Sequence, residues 1–79
     1  MFNKTIKIEG QGWDFDFKGV FYGDVLKYHV SFYNPELKKD ETFRMSKDES
    51  GQWKILAQVL PVSIHDNEMA FNDAIEENQ

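Results

Sequence analysis

Cysteine is absent from the 79 residues, and proline occurs only twice. Without cysteine, no disulfide can stabilise the fold and no thiolate can bind a metal or act as a nucleophile. Long apolar runs are missing as well. The first ten residues, MFNKTIKIEG, lack the apolar centre of a signal peptide, and no stretch reaches the roughly 20 apolar residues of a membrane span. These absences predict a cytoplasmic protein with no membrane contact.

Positive charge is absent from the C-terminal part of the chain. The net charge is −5, with 14 acidic residues against nine Lys and Arg. From Ser63 onward the charged side chains are all acidic: Asp66, Glu68, Asp73, Glu76 and Glu77. The remaining part is neutral, so the whole negative excess lies in the last 17 residues.

Aromatic residues are abundant instead, with seven Phe, three Tyr and two Trp. A chain of this length predicts a single small domain covering residues 1–79. Such a domain buries only about 60% of the surface that its unfolded chain exposes. Large rings provide the most buried area per residue, which makes the stretch WDFDF, residues 13–17, a first candidate for the core.

Alternation of apolar and polar residues predicts five strands, at residues 3–9, 13–22, 25–34, 41–47 and 52–60. Turn sequences separate them: GQG, GD, the polar stretch NPELKKDE, and DESG. Pro61 is expected to end the fifth strand. In the second hairpin, a Gly23-Asp24 loop places Phe17 opposite Val30 and Phe15 opposite Phe32.

The first hairpin is predicted in the same way, with Gly10-Gln11 as its loop. Ile8 then faces Trp13, Ile6 faces Phe15, and Lys7 faces Asp14. An opposite-charge pair across two strands contributes roughly 0.2–1 kcal/mol.

The last segment changes to helical spacing over residues 65–77, with Phe71, Ala74 and Ile75 on one side. Met69 falls on the opposite side. Ser63 or Asp66 is the expected N-cap residue. A helix of about three turns is marginal alone and must pack against the sheet.

These elements predict an α+β fold, in which a five-stranded, strongly bent antiparallel β-meander is followed by one C-terminal α-helix packed on its apolar face. The alternative is a small open barrel with the helix plugging one end. The bend is required because one short helix cannot cover a flat five-stranded sheet. The predicted apolar face consists of Ile6, Ile8, Trp13, Phe15, Phe17, Phe21, Leu26, Tyr28, Val30, Phe32, Phe43, Met45, Trp53 and Ile55.

The sequence predicts no catalytic residues, no cofactor and no metal site. Asp14 and Asp16 share a strand face, but solvated carboxylates there favour ion pairing over acid–base catalysis. Ser31, Asp16 and His29 come close on the polar face, yet a triad needs the histidine between its partners and an oxyanion hole. Two histidines without ligand spacing make a weak metal site, and the GQG turn precedes no helix that could complete a phosphate site.

Basic residues on the polar sheet face are the candidate binding residues. Such a face can bind nucleic acid through phosphate contacts and aromatic stacking. The opposing interpretation is an ordinary solvated face, and the acidic net charge also weighs against nucleic acid. The candidates are Lys7, Lys18, Lys27, His29, Tyr33, Arg44 and Lys54.

Three kinds of function stay open. The first is a non-catalytic binding or protein-interaction module, whose partner is another protein or a second copy of the chain. The second is nucleic-acid binding through the basic face. The third is a small enzyme or ligand carrier with a pocket between sheet and helix. The lack of a catalytic residue set and the large apolar face favour the first.

Overall fold

The computed structural model describes residues 1–56 and 60–79. These residues form β1 (Phe2–Ile8), β2 (Gln11–Tyr22), β3 (Val25–Asn34), β4 (Lys39–Lys47), β5 (Trp53–Ile55), α1 (Val62–Asp66) and α2 (Glu68–Glu77). The strands pair in chain order as an antiparallel meander, and the sheet curls into a half-barrel beside the C-terminal helices. The predicted α+β fold is confirmed.

The second hairpin has the predicted register. Tyr22 pairs with Val25, and Phe17 pairs with Val30. Gly23 has a φ of 64°, which suits the first loop position of a type II′ turn, where glycine is preferred. Turn chemistry and apolar pattern therefore point to one pairing.

The first hairpin differs from the prediction by two residues. Ile6 pairs with Trp13, and Lys7 pairs with Gly12 instead of Asp14. The loop is Glu9-Gly10, because both residues have positive φ, 51° and 82°, as a type I′ turn requires. A shift of two residues keeps every side chain on its predicted face, but the predicted ion pair between Lys7 and Asp14 is wrong.

The β3–β4 connection is tighter than predicted, so β4 begins at Lys39 rather than near residue 41. Asn34 organises this loop and is only 1% exposed. Its Oδ1 accepts hydrogen bonds from the N–H groups of Glu36 (2.9 Å) and Leu37 (3.2 Å). Its Nδ2 donates to Glu41 at 3.0 Å.

The last strand is shorter than predicted, since β5 ends at Ile55. Leu56 still donates a backbone hydrogen bond to the carbonyl of Arg44 at 2.9 Å. The predicted strand residues Ala57 and Val59 lie outside the described residues.

Two helices take the place of the single predicted one. Asn67, with φ −101° and ψ 16°, separates α1 from α2. Its Nδ2 donates to the carbonyl of Ser63 at 2.7 Å. The predicted caps are wrong: Pro61 and Asn67 hold the N-cap positions, without a side-chain hydrogen bond. Neither helix is long and apolar enough to cross a membrane, as far as the described residues go.

The core lies between the curled sheet and α2. Phe71 packs its ring against those of Phe15 and Phe43, with centroids 4.9 and 5.2 Å apart. Ala74 and Ile75 are buried beside it, as predicted. Eleven of the fourteen residues predicted for the apolar face are buried: Ile6, Ile8, Trp13, Phe15, Phe17, Tyr28, Val30, Phe32, Phe43, Met45 and Trp53.

Helix α2 also completes the outer edge of β5. Asn72 accepts a hydrogen bond from the N–H of Trp53 at 2.8 Å, and Glu68 accepts one from the N–H of Ile55 at 2.8 Å. Asn72 and Glu68 are four residues apart and so share one helix face. Glu68 also pairs with Lys54 at 3.5 Å. The two outward N–H groups of β5 are thus satisfied by helix side chains.

The β2–β3 hairpin projects beyond its neighbours. β1 begins at Phe2, opposite Phe17, and β4 pairs with β3 only from Lys27 onward. Residues 18–26, which we call the arm, therefore extend past the helix-covered part of the sheet. The prediction that Phe21 belongs to the core is wrong: its side chain is 70% exposed.

Candidate functional site

The polar sheet face separates its charges along the strands. Lys18, His29 and Arg44 lie opposite one another in one row across β2, β3 and β4. Lys27 and Lys54 both lie opposite Ser46 in the next row. We call these five residues the basic rows. They form the half of the polar face nearest the arm.

Two predicted candidates lie away from the basic rows. Lys7 pairs with Gly12 at the far end of the sheet. Tyr33 pairs with Asp40. The structure thus brings five of the seven predicted binding residues together and leaves Lys7 and Tyr33 apart from them.

His29 of the basic rows forms an aromatic pair with Tyr22 of the arm. The rings of Tyr22 and His29 stack with centroids 5.9 Å apart, and the Tyr22 hydroxyl lies 2.7 Å from Nε2 of His29. The Lys27 ammonium lies 5.5 Å from the centre of the Tyr22 ring. Part of the positive charge is compensated, because Lys54 pairs with Glu68.

The opposite half of the polar face is acidic, and two of its aspartates, Asp14 and Asp16, accept hydrogen bonds from neutral partners. Asp14 accepts a hydrogen bond from the Thr5 hydroxyl at 2.5 Å. Asp16 accepts one from the Asn3 amide at 3.0 Å. Both carboxylates are exposed, so neither has the desolvated setting that a catalytic acid requires.

The arrangement of Ser31, Asp16 and His29 matches the predicted pairing but forms no triad. Asp16 lies opposite Ser31, while His29 is hydrogen-bonded to Tyr22. Among the described residues, no group of three or more His, Asp or Glu is placed to hold a metal ion.

Shallow depressions open on the polar face. One is lined by His29, Thr42, Phe43 and Arg44, within the basic rows and beside them. Another is lined by acidic-half residues that include Asp14, Asp16 and Asp40. Between the sheet and α2, by contrast, the described side chains pack ring against ring, so the hypothesis of a pocket there gains no support.

The arm carries exposed apolar side chains on both of its faces. Phe21 lies on the apolar face with Leu26 opposite it, and Leu26 is half-buried. Tyr22 and Val25 lie on the polar face and are 43% and 53% exposed. The sequence interpretation missed this surface because alternation gives the face of a strand but not the length over which that face is covered.

A signal for the arm is nonetheless present in the sequence. The stretch VFYGDVL, residues 20–26, is apolar on both sides of its turn. A half-buried hairpin alternates instead. Continuous apolar character next to a two-residue loop indicates that both faces of the hairpin end contact apolar groups. These groups belong either to the rest of the fold or to a partner.

Comparison with protein-family models, with curated proteins and with solved structures finds no match to this chain.

Proposed function

We propose that this protein is a non-catalytic interaction module that contacts a protein partner through the arm. The exposure of Phe21 is the observation that carries the proposal. A large ring that is 70% exposed lies opposite a half-buried leucine on one face of the arm, and two exposed apolar side chains lie on the other face. Exposed apolar surface of this kind marks interaction sites.

The position of the arm supports the proposal. It projects from a core whose other rings are packed, and it ends in a tight turn, so it can enter a groove or lie along another strand. Aromatic residues are enriched at the centres of protein interfaces. The interaction would take place in the cytoplasm, which the cysteine-free sequence suits.

Site-specific photo-crosslinking tests this proposal. A photoreactive phenylalanine analogue at position 21 is expected to form covalent adducts with protein in the cells that make this chain. The matched control carries the analogue at Leu37, which is 56% exposed in the β3–β4 loop. Adducts at position 21 but not at 37 would support the arm as the contact site. No adduct at position 21, or equal labelling at both positions, would contradict it.

The basic rows favour a second candidate function, the binding of an anionic polymer such as single-stranded nucleic acid. Lys18 and Arg44 lie on either side of His29 in one row, and the His29 ring stacks on Tyr22. Proteins that bind single strands combine phosphate contacts with base stacking. The net charge of −5 opposes long-range attraction of a polyanion. This candidate therefore ranks below the protein-interaction module.

A shift assay with mixed oligonucleotides, repeated over a range of salt concentrations, tests this second candidate. Lys18→Glu is expected to weaken binding and to lower the salt dependence by about one phosphate contact. Lys7→Glu, outside the basic rows, is the control and should change little. Absence of binding by the unaltered protein at low salt would end the idea.

A further inference from the structure

The polar face of the β2–β3 hairpin changes its chemical character from one cross-strand pair to the next. From the turn inward, the pairs are Tyr22 with Val25, Val20 with Lys27, Lys18 with His29, and Asp16 with Ser31. Successive pairs on this face are about 7 Å apart, because every second residue of a strand points to the same side. The order along the hairpin is therefore apolar, mixed, basic and acidic.

The two pairs nearest the turn present apolar surface together with one ammonium group. Tyr22 and Val25 are 43% and 53% exposed, and Val20 is half-buried. The Lys27 ammonium lies 5.5 Å from the centre of the Tyr22 ring. Asp24, in the loop beyond these pairs, is the only acidic residue of the arm. A group that pairs with Lys27 thus has exposed apolar side chains next to it.

The lysines on this side of the basic rows carry charge that the rest of the fold does not neutralise. Among the described residues, neither Lys18 nor Lys27 forms an ion pair with a carboxylate. Lys54, by contrast, pairs with Glu68 of α2 at 3.5 Å. The charge available to a partner therefore lies next to the arm rather than next to β5.

A shallow depression lies at the inner end of this surface. His29 and Arg44 line it, together with Thr42 and Phe43. Lys18 lies on the other side of His29 in the same row, so the two cations are two strands, or about 10 Å, apart at their Cα atoms. Their long side chains can both reach a carboxylate placed over His29, where opposite charges attract at short range.

The acidic half of the polar face limits the length of an anionic occupant. Asp16 follows directly after the basic pair, and Asp14 and Asp40 lie near it. A nucleic acid carries a phosphate on every nucleotide, so a strand that continued along the hairpin would bring phosphates onto these carboxylates. The net charge of −5 also opposes a polyanion. A short acidic segment of a protein, which carries apolar side chains as well, avoids both conflicts.

We propose that the arm and the basic rows together bind an extended, acidic segment of a partner protein. This inference rests on the proposed function and specifies the chemistry of its partner. The segment places an apolar side chain against Tyr22 and Val25. Its first acidic side chain lies next to Lys27, and its second lies between Lys18 and Arg44. Alternate residues of an extended chain are about 7 Å apart, which matches the spacing of the pairs, so about five residues cover the surface.

Titration followed by nuclear magnetic resonance tests this proposal with a defined probe. The probe is the peptide acetyl-Leu-Thr-Glu-Thr-Glu-amide, added at low salt to the full chain labelled with nitrogen-15. We expect saturable shifts of the amide signals of residues 18–29 and 42–46, with a Kd on the order of 1 mM. The matched peptide has glutamine in place of both glutamates and should bind at least about fivefold more weakly.

Substitutions in the chain separate this surface from a general effect of charge. Lys18→Gln and Lys27→Gln should each weaken binding of the glutamate peptide about two- to fivefold. Lys7→Gln removes the same charge at the far end of the sheet and is the matched control, for which no change is expected. Val25→Thr replaces an exposed methyl group of the arm by a hydroxyl and should weaken binding about threefold.

Several results would overturn the proposal. One is the absence of saturable shifts at about 10 mM peptide, and another is equal binding of the glutamate and glutamine peptides. Lysine variants that bind no more weakly than Lys7→Gln would exclude the basic rows, and full binding by Val25→Thr would exclude the arm. Tighter binding of a short oligothymidylate to the same residues would favour nucleic acid instead.

Failure of this inference is distinguishable from failure of the proposed function. Position 21 lies on the other face of the arm, opposite Leu26, so crosslinking there does not depend on the acidic segment. If the peptide does not bind but the photoreactive analogue at position 21 still forms adducts with protein, the interaction module stands and only the chemistry of its partner is wrong.

Discussion

At the scale of single residues, two phenylalanines of one strand show what decides burial. Phe15 and Phe21 lie on the same face of β2, yet Phe15 is fully buried and Phe21 is 70% exposed. Phe15 lies under Phe71 of α2, whereas Phe21 lies beyond the start of β1. Strand position fixes the direction of a side chain, and the neighbouring elements decide whether water reaches it.

The two rings should therefore differ sharply in their contribution to stability. Phe15→Ala is expected to lower the free energy of unfolding by about 3–5 kcal/mol, because it removes a packed ring and leaves a cavity. Phe21→Ala should change it by less than about 0.5 kcal/mol. Urea denaturation of both variants checks this. A large loss for Phe21→Ala would show that the arm packs against the rest of the molecule.

Much of this residue-level pattern was predictable, and the exceptions share one cause. Alternation correctly placed eleven core side chains, because a period of two is set by the strand backbone itself. It could not show that cover ends at Phe17, since that depends on where β1 begins. Alternation also predicts that the basic rows share one face of the sheet. It does not give the distance of Lys7 from them, because that distance depends on the register between β1 and β2.

At the scale of elements, turn conformation determined which register prediction succeeded. Gly23-Asp24 offers one glycine at the position that needs positive φ. The stretch Gly10-Gln11-Gly12 contains two glycines, but the loop consists of Glu9 and Gly10, with Glu9 in the left-handed region. A non-glycine residue there is costly, so the sequence alone pointed to the wrong loop.

Glu9 consequently identifies a stabilising substitution. Glu9→Asn creates an Asn-Gly loop, which type I′ turns prefer. We expect an increase of about 0.5–1 kcal/mol in the free energy of unfolding, since asparagine tolerates positive φ better. Thermal and urea denaturation measure it, and Gln11→Asn, just after the loop, is the control. A decrease for Glu9→Asn would contradict the assigned turn.

The β4–β5 turn depends on one carboxylate. The Ser50 hydroxyl donates to Asp48 at 2.7 Å, and the N–H groups of Gln52 and Ser50 donate at 3.0 and 2.9 Å. These hydrogen bonds, that from Ser50 Oγ most of all, lower the pKa of Asp48 from its ordinary value of 3.8. The ionised form is thus favoured in the folded state.

The lowered pKa of Asp48 in the folded state determines the direction in which stability changes with pH. The stabilisation is present above pH 3.8, the ordinary pKa, and is lost as pH falls through the lower folded-state value. Asp48→Asn should therefore be less stable than the natural chain near neutral pH, and the difference should shrink below pH 3.8. Urea denaturation across this range tests it. A difference that persists unchanged into strong acid would mean that the carboxylate charge is not the cause.

At the scale of the whole molecule, the fold buries both tryptophans. Trp13 is 6% exposed and Trp53 is 2% exposed. We expect blue-shifted emission and little quenching by iodide or caesium ions in the folded state. Both ions are needed as probes because the net charge of −5 repels iodide. Quenching equal to that of the urea-unfolded chain would contradict the packing of the core.

The dependence of β5 on Asn72 and Glu68 has a consequence for biosynthesis. A ribosome releases the strands first, so a nascent chain holds its aromatic rings uncovered until α2 has left the exit tunnel. At about 5–20 residues per second, the stretch from Trp53 to Glu77 takes roughly one to five seconds to translate. During that interval the N–H groups of Trp53 and Ile55 lack their helix acceptors, and the apolar face of the sheet is open to water.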